Sequence, residues 1–143
     1  MNDKTMNAAG SGNANEALEA MIAEEFLANL GVIVLDYGDV RSLKDSSDFI
    51  DGTTADGKVD GLGRLVGDAI SKLQDAHPGS HLVGLLLKMR MAEGTGLFME
   101  PVAQLQEVLS SLDESVNIKW GLEKDAPVPS EVRICVICGF KWR

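Results

Sequence analysis

The sequence predicts a two-layer α+β domain, an α/β sandwich, and three observations support this prediction. Residues 62–73 and 102–112 place apolar side chains at helical spacing. Residues 116–122 and 131–140 alternate between apolar and other side chains, as strands do. Helical and strand patterns follow one another along the chain, which is typical of helices packed on a sheet, although this pattern alone does not separate the α+β class from the α/β class.

Composition limits the functions to consider. A chain of 143 residues with 45% apolar and 24% charged residues is typical of one soluble globular domain. Its formal net charge of −9 argues against nucleic acid and against direct binding to an anionic membrane, because both favour basic proteins. We see neither a secretory signal nor an apolar run long enough to span a bilayer, and we therefore expect a cytoplasmic protein.

The chain is expected to begin with a disordered tail, residues 1–12, which is polar and rich in small residues. A helix over residues 13–30 should follow. Asn13 and Glu16 have the spacing of a capping box, and Gly31 is a typical residue just after a helix. Apolar residues recur at helical spacing within this segment: Leu18, Met21, Ile22, Leu27 and Leu30.

An acidic loop, residues 31–40 with the sequence GVIVLDYGDV, comes next. Asp36 and Asp39 stand three residues apart beside Tyr37, where one helix has ended and a short helix over residues 40–46 is predicted. The two carboxylates could perform chemistry there. They could also simply cap the short helix, since aspartate is a preferred residue before a first helical turn.

The sequence after this loop partly matches two ligand-binding motifs but completes neither of them. A short strand is predicted at residues 48–51, and residues 52–58 then match G-x-x-x-x-G-K, most of a phosphate-binding loop. Val59 stands where that motif needs a magnesium-binding hydroxyl. A calcium loop is also rejected, because Lys58 replaces an early ligand. We therefore predict neither a nucleotide site nor a metal site, and interpret residues 52–59 as a connection into the next helix.

The remaining elements follow from periodicity and chain breaks. Asp60 is expected to cap the helix that begins near Leu62, and residues 77–79 should end it. The nearly continuous apolar run at 81–91 predicts a buried central strand. Pro101 suits the first turn of a further helix. The last two strands are predicted to be antiparallel neighbours, because the link between them is short.

The two cysteines form a C-x-x-C pair, Cys135 and Cys138, which could indicate a redox or metal site. They lie within a predicted strand, where this spacing points the two side chains to opposite faces. Zinc also needs about four ligands, and only two histidines are left to contribute. Buried structural thiols are the interpretation that we favour.

Three segments resemble the C-terminal part of the FtsZ/tubulin family, in its bacterial FtsZ branch. Residues 31–40 are similar to the synergy-loop motif G-L-I-N-V-D-F-A-D-V, residues 116–121 (VNIKWG) resemble A-N-I-I-W-G, and residues 131–140 (EVRICVICGF) resemble E-V-R-V-T-V-I-A-T-G-F less one residue. The resemblance implies a segment of the central helix at 13–30 and a C-terminal-type domain at 31–143. It also implies a four-stranded mixed sheet with an antiparallel last strand, two helices on one face and the central helix alongside.

In that family the synergy loop of one subunit reaches the nucleotide of the next and completes its GTPase site. The resemblance therefore gives Asp36 and Asp39 the role of polarising the attacking water in trans, and places Val34, Tyr37 and Gly38 at the partner contact. Val34 departs from the family's Asn, and Gly38 from its usual Ala. The family's nucleotide signature G-G-G-T-G-T-G does not occur in these 143 residues. We thus expect the chain alone to bind no cofactor and to meet GTP only through a partner subunit.

The leading hypothesis is a stand-alone FtsZ-like C-terminal domain that acts by protein contact. It would dock on an FtsZ-like GTPase subunit or on a separate GTPase half, and it could also form a homo-oligomer. We expect no enzymatic activity from the chain by itself, because apart from Asp36 and Asp39 no nucleophile and base converge. The alternative is a small-ligand-binding or self-assembling α+β module in which the loop is only structural.

Overall fold

The computed structural model describes residues 16–22, 35–96 and 99–143. The tail predicted at 1–12, most of the helix predicted at 13–30 and Val34 of the acidic loop lie outside these ranges. The described helices are α1 (16–22), α2 (Tyr37–Asp45), α3 (Leu62–Ala76), which follows a 3-10 turn at Val59–Gly61, and α4 (Met99–Ser110). The strands are β1 (Phe49–Gly57), β2 (Ser80–Ala92), β3 (Asn117–Ala126) and β4 (Val132–Trp142).

The four strands form one mixed sheet in the order β1-β4-β2-β3. Strand β4 is antiparallel to both β1 and β2, whereas β2 and β3 are parallel. The four-stranded mixed sheet with an antiparallel last strand is therefore confirmed. Among the described residues, no helix is long and apolar enough to cross a membrane.

The prediction that β3 and β4 are neighbours was wrong. They run in opposite directions, as expected, but β2 lies between them. The link at 127–131 can cross two interstrand spacings, about 10 Å, because an extended residue covers roughly 3.3–3.6 Å. Glu131 at its end already bonds to β2, where its carbonyl accepts a hydrogen bond from the Ala92 N–H at 2.9 Å.

Two local predictions around residues 48–60 were also wrong. The segment interpreted as a connection continues the edge strand β1 as far as Gly57, and Thr53 and Gly57 pair with Val136 and Val132 of β4. The phosphate-loop-like run is thus part of a strand ladder. Asp60 does not cap α3, because Gly61 is the residue before that helix and no side-chain bond caps it.

Two apolar cores lie on opposite faces of the sheet. On one face, α3 and α4 cover the helix-pair core, whose members include Leu62, Val66, Ile70, Leu85, Leu87, Ile134, Val136, Cys138 and Phe140. On the other, α1 and α2 cover the loop-side core, which consists of Ile22, Leu35, Val40, Leu43, Leu86, Cys135 and Ile137. The two helices on one face of the sheet agree with the expected arrangement.

Helix α2 packs on the sheet where two central strands carry glycine. A Cβ atom on Gly84 would lie 2.5 Å from Leu43 Cδ1, and a Cβ atom on Gly139 would lie 2.7 Å from the same atom and closer still to Ser47 Oγ. The Ser47 hydroxyl is held there, since it donates to the Leu43 carbonyl at 2.6 Å. The two glycines therefore set how closely α2, and the acidic loop before it, can approach the sheet.

We predict that Gly139→Ala destabilises the protein by about 1–3 kcal/mol, the usual range for overpacking a tight core. The added methyl group must displace Leu43 or break the Ser47 hydrogen bond. Equilibrium chemical denaturation measures the change. Gly79→Ala is the matched control, because nothing lies within 4 Å of a Cβ atom at that position. Equal stability of the two variants would contradict this account of the α2 contact.

Candidate functional site

The two aspartates of the acidic loop form a reciprocal capping box at the start of α2. Asp36 is the extended residue before the helix, with φ −116° and ψ −179°, and its Oδ1 accepts a hydrogen bond from the Asp39 N–H at 3.3 Å. In return, the Asp36 N–H donates to Asp39 Oδ2 at 2.9 Å. Each carboxylate thus satisfies a backbone donor that the first turn of a helix leaves without an intrahelical partner. The negative charges also complement the positive end of the helix dipole.

A lysine on the edge strand β3 reaches this loop. Lys119 Nζ lies 3.4 Å from Asp39 Oδ1, and the two side chains are 47% and 25% exposed. The contact joins residues that are far apart in the sequence and fixes the loop beside the free edge of the sheet. Sequence reasoning missed it, although an alternating strand that carries a cation is a signal that could have suggested it.

The sequence-predicted site residues divide into two groups. Asp36 and Gly38 are exposed. Tyr37 is half-buried against the loop-side core, and the Arg41 guanidinium lies 5.6 Å from its ring centroid. In the described part of the loop, Asp36 and Asp39 both form the cap, Tyr37 contributes to packing, and the Asp36 residue is exposed.

The C-x-x-C pair is not a site within the described residues. Cys135 and Cys138 are both buried, and they belong to opposite cores. Burial, with a smaller contribution from the charge of Asp51, raises the pKa of the Cys138 thiol from 9.0 to about 12. A thiol so far from ionisation is a poor nucleophile and metal ligand. No group of three His, Cys, Asp or Glu side chains in the described ranges could hold a metal ion.

His77 follows α3 directly, where residues 77–79 were predicted to end the helix. It is only partly exposed, because its Nε2 lies 2.8 Å from Asp51 Oδ2 and its ring packs 4.8 Å from Phe49 and 5.1 Å from Phe140. A cleft of about 310 Å³ opens beside it. The cleft is lined by Gln74, His77, Pro78, Ser80, His81, Leu82, Leu112, Asp113, Ser115, Val116, Phe140 and Arg143.

A row of charged side chains crosses the sheet and was also missed. Asp56, Arg133, Arg90 and Glu123 pair in register across all four strands. Arg133 holds Asp56 through two contacts, at 2.9 and 3.2 Å, and Arg90 Nε lies 3.4 Å from Glu123 Oε1. Lys88, only 1% exposed, lies 3.9 Å from the same oxygen. The available signal was the presence of Arg90 and Arg133 within the apolar runs of β2 and β4.

Comparison with known structures shows that the chain has the fold of the FtsZ C-terminal domain. An empty FtsZ dimer from M. jannaschii matches with a TM-score of 0.55 and 15% identity, over 87% of this chain and 38% of that one. A tryptophan-to-tyrosine variant of M. jannaschii FtsZ matches with a TM-score of 0.56 and 20% identity, over 87% and 39%. No protein-family model and no curated protein matches. The chain thus spans well under half of the FtsZ chains that it resembles.

We predict that Asp36→Ala lowers the free energy of unfolding by about 1 kcal/mol, the usual loss when a capping side chain is removed. Asp36→Ser should recover most of this loss, because a serine hydroxyl also accepts the Asp39 N–H. Thermal or chemical denaturation measures both changes. Asp68→Ala is the control, since Asp68 makes only a 4.0 Å contact with Arg64 on an exposed helix face. A neutral Asp36→Ala would show that the cap does not stabilise the fold.

We also predict a pH dependence that originates at Cys138. The unfolded chain ionises this thiol near pH 9, whereas the folded protein keeps it neutral to about pH 12. The free energy of unfolding should therefore fall as the pH rises through this window, by up to about 1.4 kcal/mol per pH unit. Denaturation at several pH values compares the protein with Cys138→Ala, in which the other titrating groups are unchanged. A flatter slope in the variant is the expected result, and equal slopes would contradict it.

Proposed function

We propose that this domain acts by protein contact, docking its acidic loop on the nucleotide face of a GTP-binding FtsZ-like subunit. The observation that carries the proposal is the exposed Asp36 residue, whose carboxylate caps the start of α2 in a domain with the FtsZ C-terminal fold. A partner of this kind would be a subunit of a polymer or a separate GTPase half. The domain would then assemble with it, cap it or complete it.

The chemistry of GTP hydrolysis allows the work to be divided between two proteins. Phosphoryl transfer depends mainly on positioning and electrostatics rather than on covalent steps by the protein. One subunit can therefore cradle the phosphates while another supplies a carboxylate near the attacking water. In this proposal the partner holds GTP, and Asp36 and Asp39 are the candidate acids in trans.

A second candidate function has its own support. The reciprocal capping box gives both aspartates a structural role that needs no partner. On this reading the domain is a ligand-binding or self-assembling module, and the cleft beside His77 is where a small molecule would bind. The two candidate functions predict different effects on partner binding when the negative charges of Asp36 and Asp39 are removed.

The distinguishing variant is Asp36→Ser with Asp39→Asn, which removes both charges but keeps side chains that can cap α2. We expect it to keep most of the parent protein's stability and to bind a polymerising FtsZ-type GTPase from the same cell at least about tenfold more weakly. Equilibrium binding and filament length, measured on the purified full chain, test this. The expected parent result is saturable binding with altered filament length.

The matched control is Asp68→Asn with Asp75→Asn, which removes the same charge from the exposed side of α3. This variant should bind as the parent does. Unchanged binding of the loop variant would favour the purely structural loop. Absence of any binding or filament response with the parent protein would overturn the proposed function.

A further inference from the structure

The contact between the acidic loop and Lys119 supports an inference that rests on the proposed function and goes beyond it. We propose that Lys119 neutralises Asp39, so that the docked domain holds a partner's GTP in place without promoting its hydrolysis. Lys119 is a positioning residue in this proposal, since it acts through Asp39. The domain would then stabilise the nucleotide-bound state of its partner.

The geometry engages both oxygens of Asp39. Oδ2 accepts the Asp36 N–H at 2.9 Å, and Oδ1 faces the Lys119 ammonium at 3.4 Å. A carboxylate that orients an attacking water must offer that water an oxygen with its negative charge available. In this loop the oxygens of Asp39 are turned towards the chain itself, and Asp36 is the exposed acid.

At position 119 the sequence also differs from the motif that it resembles. The segment VNIKWG resembles A-N-I-I-W-G, so Lys119 stands where the similar motif has an apolar isoleucine. An isoleucine cannot pair with a carboxylate. The cation and its 3.4 Å contact with Asp39 are therefore a property of this chain rather than of the motif that it resembles.

The test compares the parent protein with Lys119→Ile and Lys119→Arg in complex with the FtsZ-type GTPase. Binding is measured with a GTP-loaded partner, and GTP turnover is measured at saturating domain. We expect the parent to bind without raising turnover. Lys119→Ile should still bind, and it should raise turnover above the parent level, because Asp39 Oδ1 then loses its ammonium partner. Lys119→Arg keeps the charge and should behave as the parent does.

Lys124→Ile is the matched control, because Lys124 is an exposed lysine of the same strand. It should leave turnover at the parent level. If the parent protein binds and accelerates hydrolysis, or if Lys119→Ile and the parent give equal turnover, this inference fails while the docking function stands. If the parent does not bind at all, the proposed function fails and the inference falls with it.

Discussion

The contact of Leu43 with two glycines is the constraint on which the rest of the arrangement depends. Gly84 and Gly139 lie on adjacent central strands, and only the absence of side chains there lets α2 rest directly on the backbone. The start of α2 is consequently fixed beside β3. That placement brings Asp39 within reach of Lys119 and leaves Asp36 at the surface. The geometry of the acidic loop is thus a consequence of close packing several residues away.

Most of the elements could be predicted from the sequence, because their periodicities were strong. The apolar run at 81–91 became a central strand, and the first-turn position of Pro101 in α4 was correct. Strand pairing was harder to predict, since it depends on residues that are far apart in the sequence. The short link suggested that β3 and β4 were neighbours, but no feature of the link itself shows that β2 lies between them. Likewise, residues 52–59 were interpreted as a connection into the next helix, and only pairing with β4 makes the segment as far as Gly57 a strand.

In the candidate site, too, contacts between residues close in the sequence could be predicted, and contacts between distant residues could not. The capping spacing of Asp36 and Asp39 is local, so sequence reasoning included it among the alternatives. The contact with Lys119 and the pairing of Arg90 with Glu123 depend on strand register and could not be found in this way. Buried ions such as Lys88 and Glu123 lose hydration that their mutual attraction must offset. Their presence in β2 and β3 therefore fixes register more than it adds stability, because a one-residue slip would separate these charges.

Fold likeness and site chemistry lead to different conclusions here. At 15–20% identity, the similarity to FtsZ establishes how the strands and helices are arranged and leaves the chemistry of the loop open. The loop keeps two acids at the expected spacing, yet a cation from the neighbouring strand accompanies one of them. In the function that we propose, the fold supplies the shape that docks on a nucleotide-bearing surface, and Lys119 changes the effect of the loop on that nucleotide. Shape is set by the apolar cores and reactivity by a few charges, so domains of one fold can differ in chemistry through a single residue.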